Sequence, residues 1–587
     1  MSALFTAVNP GFLLLLTGLI GGLLPVKPLR QGLMILAPVL GIIMLTQAPR
    51  DLDLATGQAL GLELVLYRVD SLNFLFGLAF LVAAFLHAIY ALHNDDRMHD
   101  GAAMFYAGTA VSASFAGDLV SLFIFWELTA VASVFLVLRA RTRAAYNAGM
   151  RYLVVQVLSG VLFLDGIAYV YKKTGSLDLS AFGSLDAPGA KYILLAVAIK
   201  AAFPLLHNWV QDAYPKATVV GGVVLSAFTT KLAVLMLARL YPGLDMLVWI
   251  GVLMAVFPIF FAILEDDLRR VLAYGLNSQI GFMVCAVGLG DLSTRLGQMA
   301  LNAAAAHAFV HIIFSSLLFM SIGAVLYRTG TAKASKLGGL YRRMPFTALF
   351  GLVGAAAIAA VPMFSGYVAM SQITSTVAQA GPVMAWLGLV FASAGVWVHS
   401  GLKVPYTAFF GRDRGHRVAE APFNMLLAMG IAAAISILAG LPVASGFGYG
   451  WLYSLLPFPD HAAGFRPYSA GQVIAQLQLL VAGIAAFMLL RRFGLYPGER
   501  AGTVLDTDWI YRRLAYNLAV WAHAVSEKAG PAILAAFGAV SARAYDRIEA
   551  AFSPRGVLSR GPLTGGMAIW TAALLGFALL LAFITVN

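Results

Sequence analysis

The sequence predicts an all-α polytopic membrane protein with about 14–16 transmembrane helices, and three observations predict it. Of its 587 residues, 60% are hydrophobic and only 11% charged, whereas soluble domains carry ~25% charge. Mean hydropathy is +0.84. Apolar stretches of spanning length (~20 residues) recur along nearly the whole chain. The positive residues also segregate between alternate loops, as they do in inserted helices.

The predicted spans lie at 3–24, 29–47, 71–92, 101–116, 118–138, 149–171, 190–210, 217–240, 244–264, 268–289, 300–327, 346–370, 382–410, 422–442, 470–490 and 566–586. No Lys or Arg precedes Lys27, so the first run reads as a span rather than a cleaved leader. The runs are continuous and lack the period-two alternation of a strand barrel. With the N-terminus outside and sides alternating, 28 of the 39 Lys and Arg fall on the inner side and 8 outside. The remaining three are lysines inside spans. This asymmetry places the basic loops in the cytoplasm; a bacterial cytoplasmic membrane is the expected location.

Residues 491–565 are the one long stretch that does not span. Ile510, Leu514, Leu518, Trp521 and Val525 recur every three or four positions. That spacing predicts an amphipathic helix over Asp508–Lys528 on the cytoplasmic surface, lying along the membrane or against a partner. A second helical stretch is expected over Ala532–Ala551. The expected domains are 1–100, 101–240, 244–442, 470–490, 491–565 and 566–587.

The composition excludes a soluble enzyme, a disordered chain and a nucleic-acid-binding module. The single cysteine, Cys285, cannot form an intrachain disulfide, a CxxC zinc site or a Cys-ligated cluster. There is no Walker loop, dinucleotide fingerprint or HExxH motif. No cofactor, metal site or catalytic residue is predicted.

A charge at mid-membrane costs roughly 2.5–3.5 kcal/mol on insertion scales, so it marks a functional candidate. Glu127, Lys200, Lys231 and Lys403 are such charges, and Asp165, nearer a membrane end, is a secondary candidate. Groups of this kind can gain and lose protons, as a relay requires. Static inter-helix ion pairing is the competing reading. Lys200 precedes Pro204 by four residues and Lys403 precedes Pro405 by two. Proline opens a helix, and broken helices at membrane depth line hydrated cavities. Both prolines are therefore expected helix breaks. His307, His311 and Ser315 share one helix face at four-residue spacing, and His399 stands four residues before Lys403. Histidine passes protons near neutral pH; ordinary core hydrogen bonding is the alternative.

At these residues the chain resembles a known family. GDLVSLFIFWELTAVASVFLV, IKAAFPLLHNWVQDAYPKATVVGGVVLSAFTTKLAV, LEDDLRRVLAYGLNSQIGFM and AAAAHAFVHIIFSSLLFMSIGAVLYRTG are similar to the antiporter-like subunits of Mrp-type cation/proton antiporters and respiratory complex I. GGLYRRMPF, GLKVPYTAFFGRDRG and LDTDWIYRR resemble the long form of the Mrp D-subunit branch. The resemblance implies two inverted five-helix repeats, each with a broken helix, and a hydrated polar axis. It implies partner membrane subunits and the transport of protons, either alone or in exchange for sodium or potassium. By resemblance Glu127 and Lys200 form a switching pair, Lys231 bridges to His307 and His311, and Lys403 ends the path. Ser315, Met370 and Gly275 stand where relatives carry lysine, lysine and histidine, so the second half is chemically thinner. Rival readings are a membrane-arm subunit of a redox complex, an energy-coupling subunit of inorganic-carbon uptake, and a scaffold subunit.

Overall fold

The computed structural model describes residues 7–59, 61–380, 382–498, 502, 504–553, 556 and 569–578. Ten of the described helices are long and apolar enough to cross a membrane. Four shorter apolar helices add to them: Pro10–Leu23, Pro345–Ile358, Phe423–Leu438 and Ile569–Ala578. The chain is an integral multi-pass membrane protein. The start of the first predicted span and about half of the last lie outside the described residues. The chain divides into two units, Met1–Asp506 and Thr507–Asn587.

In the first unit the helices Val219–Leu240, Leu268–Gly288 and Arg295–Thr329 are almost wholly enclosed, while Ala470–Arg492 is mostly exposed. The enclosed helices carry Lys231, His307 and His311 into the centre, where each is fully buried. Close helix approach is built on glycine. A Cβ on Gly101 would fall 2.8 Å from the Gly22 Cα, and one on Gly18 would fall 2.5 Å from the Phe105 nitrogen. Small residues of this kind let membrane helices meet backbone to backbone.

One backbone device occurs twice. Asp118 caps Leu119–Leu138 and Asp267 caps Leu268–Gly288. The Leu119 amide donates to the Leu177 carbonyl, and the Leu268 amide to the Ala332 carbonyl, both at 2.9 Å. Arg143–Thr174 ends on Gly175 and Arg295–Thr329 ends on Gly330, both left-handed. A broken helix follows each. Ala190–Lys200 stops before Pro204 and resumes at Asn208–Ala213. Pro345–Ile358 stops before Pro362 and resumes at Ser365–Ala380. In the breaks Ala202 and Ala360 have φ of +62° and +54°, and Leu205 and Met363 have +70° and +75°. The Phe203 amide reaches the Ala198 carbonyl as Val361 reaches Ala356, at 3.0 and 2.9 Å.

The second break thus lies at Pro362, not at the expected Pro405. Pro405 sits inside a span that runs from Val383 to Phe410. Two wide π-type stretches, Trp397–Lys403 and Tyr406–Phe410, flank it. A π-type turn takes in an extra residue, which relieves the clash proline makes in a regular helix. The loop expected between the second and third spans is a β-hairpin, Leu52–Ala59 paired with Leu62–Val69. It packs on the end of the bundle through Gly117 N to Val65 O and Arg68 N to Phe115 O, at 2.8 and 2.9 Å.

The first unit closes with Val504–Asp506. Asp506 accepts from the Tyr274 hydroxyl at 2.6 Å and from the Asn208 amide, and lies 3.4 Å from His207. In the second unit, Ala515–Phe552 is one helix of 38 residues with Pro531 inside it. The two helical stretches expected on either side of Pro531 are therefore continuous.

Candidate functional site

The first cluster forms where Leu119–Leu138 meets the broken helix. Lys200 is the last residue before the break, and its side chain is fully buried. Its ammonium donates to the Trp126 carbonyl and, at 3.2 Å, to Thr129 Oγ1. It also lies 4.3 Å from the Trp126 ring centre, within cation–π range. Trp126 is fixed in turn: its Nε1 donates to Ser159 Oγ at 3.1 Å, and that hydroxyl donates to the Ala196 carbonyl at 2.8 Å. The Ile199 carbonyl, whose regular helical donor Phe203 turns to Ala198 at the break, accepts from Trp209 Nε1 at 2.9 Å as well as from the Ala202 amide at 3.1 Å.

Glu127 is the neighbour of Trp126, and its Oε1 is buried without a hydrogen-bond partner among the described residues. The carboxylate lies against Gly160, where an added Cβ would come 1.9 Å from Oε1. Only a glycine leaves room for it. Glu127 and Lys200 feel each other's charge, yet no contact within 4.0 Å joins them. The expected pair is therefore separated, because fixed backbone and hydroxyl acceptors already hold the ammonium.

The second cluster sits at an interruption at Phe228, between Val219–Ala227 and Thr229–Leu240. The interruption leaves the Ser226 carbonyl without its helical donor, and Lys231 Nζ takes it at 2.5 Å. The Tyr106 hydroxyl meets Thr229 Oγ1 at 2.6 Å beside it. The charge of Lys231 reaches both His307 and His311. The two imidazoles lie near-parallel, ring centres 6.0 Å apart and planes 12° from each other. His307 Nε2 meets Gln279 Oε1 at 2.8 Å, while neither nitrogen of His311 has a partner among the described residues. Ser315 is buried one turn further on the same helix.

The third cluster lies on the Val383–Phe410 span. His399 Nδ1 meets Ser400 Oγ at 2.8 Å, and a Cβ on Gly275 would come 2.5 Å from that oxygen. The missing side chain of Gly275 is what admits Ser400 there. Lys403 Nζ donates to the carbonyls of Ala262, Ile263 and Glu265 at 3.1, 2.7 and 2.6 Å. These are the terminal carbonyls of Met246–Leu264, the negative end of a helix dipole. The Glu265 carboxylate, outside the span, lies 3.4 Å from Arg270. Burial pushes its carboxyl above the usual range, with Arg270 opposing.

The family described as NADH:quinone oxidoreductase/Mrp antiporter, TM, matches residues 116–394, which contain five of the six candidates. The chain is 27% identical over 420 residues to Hydrogenase-4 component B of Escherichia coli (strain K12), covering 64% of this chain and 62% of that one. It is 27% identical over 432 residues to the A subunit of the Na(+)/H(+) antiporter of Alkalihalophilus pseudofirmus, covering 65% and 53%. It is 27% identical over 371 residues to the D subunit of the Na(+)/H(+) antiporter of the same organism, covering 59% and 73%. The chain spans little more than half the length of the first curated relatives it matches. A chain of the Mrp complex from Dietzia sp. DQ12-45-1b shares the fold at TM-score 0.66 and 20% identity, over 81% of this chain and 99% of that one. A chain of the membrane-bound sulfane sulfur reductase, an archaeal respiratory membrane complex, shares it at 0.68 and 20%, over 97% and 99%.

Within and beside this matched stretch, the structure brings Lys231, His307 and His311 together, and places His399 with Lys403. Asp165 stands apart: it is exposed on the outer face of Arg143–Thr174 and joins none of the clusters. The sequence reading passed over Trp126, Thr129, Gly160, Gln279 and the acceptor carbonyls of Ser226 and Glu265. Gln279 is four residues after Gly275 in a quoted family stretch and carried a legible signal. Gly160 carried none, because its role depends on the helix opposite.

Proposed function

We propose that this chain is a proton-translocating, antiporter-type subunit of a multi-subunit membrane complex, of the Mrp D-subunit kind, in a bacterial cytoplasmic membrane with its N-terminus outside. The carrying observation is the seat of Lys200: a buried ammonium at a helix break, held by fixed acceptors, with a carboxylate nearby but out of contact. Glu127 can then take or lose a proton without unseating the lysine, and its charge biases that of Lys200. The path continues through Lys231, His307 and His311 to His399 and Lys403, with Ser315 as a hydroxyl relay. Waters are needed between the clusters, since their side chains do not form one unbroken chain of hydrogen bonds.

The duplicated caps and breaks support two repeats over 101–240 and 244–442. The resemblance to the long form of the Mrp D-subunit branch, and the 73% coverage of a D-subunit relative, support that branch. Proton uptake by the purified native complex in proteoliposomes, with Lys200→Met as the comparison, tests the reading. Uptake unchanged by that variant in assembled complex would overturn it.

The likeness to Hydrogenase-4 component B favours a second reading, in which the same path serves a redox-driven complex. Identification of the co-purifying subunits separates the two: antiporter subunits alone support the first, redox subunits the second.

A further inference from the structure

A polar cavity and an apolar groove run into each other at the end of the bundle that carries the basic loops, away from the buried lysines. The cavity, of about 800 Å³, is bordered by Arg30, Asp95, Asp96, Arg97, Arg139 and Arg141. The groove, of about 470 Å³, is bordered by Leu19, Gly22, Leu23, Phe105 and Phe135. Met98 and Arg139 line both. Both volumes fall in the ~300–1,000 Å³ range of ordinary ligand sites.

The charges of the cavity do not balance. Arg30 is buried and bonded to Asp100 and Asp95, both at 3.0 Å. Arg139 is bonded to Asp96. Arg97 and Arg141 have no carboxylate partner among the described residues, and both stand exposed. Two guanidinium forks therefore face the cavity unpaired. Such forks match phosphate oxygens bidentately. The groove beside them is floored by Gly22, whose Cβ position meets nothing within 4 Å, so a thin hydrocarbon chain can lie along it.

We propose that this composite site binds an anionic phospholipid, its phosphate held by Arg97 and Arg141 and one acyl chain laid in the Gly22 groove. Three features favour a lipid over another occupant. The cationic and apolar parts are contiguous, as head and tail are. The cavity lies where the chain leaves its spans, at headgroup depth. Basic pockets between helices on the positive side of a membrane protein are a recurrent headgroup environment. The site is separate from the proton path and does not rest on it.

The test uses the purified full chain in its complex, delipidated in detergent and titrated with phosphatidylglycerol or phosphatidylcholine under native mass spectrometry. Phosphatidylglycerol is expected to bind about tenfold more tightly, the scale of one charge-assisted contact. Arg97→Gln with Arg141→Gln should remove that preference, and Arg97→Lys with Arg141→Lys should keep most of it, which controls for folding. Gly22→Leu should weaken both lipids alike. Equal binding of the two lipids by the native complex would overturn the proposal. So would full displacement of phosphatidylglycerol by inorganic phosphate with no effect of Gly22→Leu, which would mean a free-anion site. Cross-linking of Gly22→Cys to a helix of a neighbouring protein in the complex would mean a protein occupant instead.

Discussion

The Lys200 ammonium lies 4.3 Å from the centre of the Trp126 ring and donates to that residue's own carbonyl. One residue thus supplies both a π face and a backbone acceptor. The carboxylate of the next residue, Glu127, is left outside the first contact sphere. Removing a contact partner from a buried ion pair typically costs 3–5 kcal/mol, but that cost does not apply to a separated pair.

Glu127→Gln and Lys200→Met should each reduce proton uptake at least tenfold, the effect of about 1.4 kcal/mol on a barrier, with assembly intact. Thermal unfolding of Glu127→Gln should change by less than about 1–2 kcal/mol. A loss of the size seen on breaking a contact pair would show that the two residues touch in the working complex.

Gly160→Ala should act as a Glu127 variant at one remove. The added methyl would come 1.9 Å from Glu127 Oε1, so the carboxylate must rotate or the helices part. Overpacking of this kind costs about 1–3 kcal/mol. Uptake should fall as it does in Glu127→Gln. Native uptake in a folded Gly160→Ala complex would show that the position of the carboxylate is unimportant.

The double change His307→Ala with His311→Ala should stop transport, and Gln279→Leu should slow it by releasing the His307 ring. Ser315→Ala should have a small effect, because a hydroxyl relays a proton but holds no charge. Transport that survives the double change in assembled complex would shift the weight to a scaffold role for the second half.

The orientation can be read with single cysteines in a Cys285→Ala background. Ala140→Cys should react with an impermeant thiol reagent only in inverted vesicles, and Gly183→Cys only in intact cells. The reverse pattern would invert the assigned sides.

At the hairpin, the Arg68 guanidinium bonded to Asp53 at 2.5 Å holds that carboxyl below its usual range. A carboxylate with a lowered value contributes stability above about pH 4 and loses it as pH falls through the lowered value. The pair is partly exposed, so the effect stays below about 1 kcal/mol. The protection of the Leu52–Val69 amides, taken relative to their intrinsic exchange rates at each pH, should therefore fall on acidification, and Asp53→Asn should remove that dependence. An unchanged acid response in Asp53→Asn would assign it to another group.

The membrane class and most spans were legible because a ~20-residue apolar run has few other readings. Pro204 was legible as a break because Lys200 stood beside it. Pro362 was not, since Ile358 takes the place of a lysine and nothing charged drew attention to AAVPMF. Pro405 misled for the opposite reason: Lys403 stood beside it, but wide turns absorb the ring. Glu127, Lys200 and Lys231 could be found as charges inside apolar runs. Their partners could not, because Trp126, the Ser226 carbonyl and Gly160 gain their roles only when helices distant in sequence meet.

Ala202 and Ala360 hold the same left-handed bend 158 residues apart, at roughly 1–2 kcal/mol for each alanine in that conformation. Two residues upstream stand Lys200 and Ile358, and nine residues past the matching caps stand Glu127 and Leu276. On the proposed two-repeat reading, the two halves are a duplicated vessel whose contents have diverged. The costly bend persists where the adjoining charge is absent, so the scaffold and its cargo of ionisable groups can change separately. A protein built this way need not turn over symmetrically: one half can act as a switch while the other serves as a conduit to it.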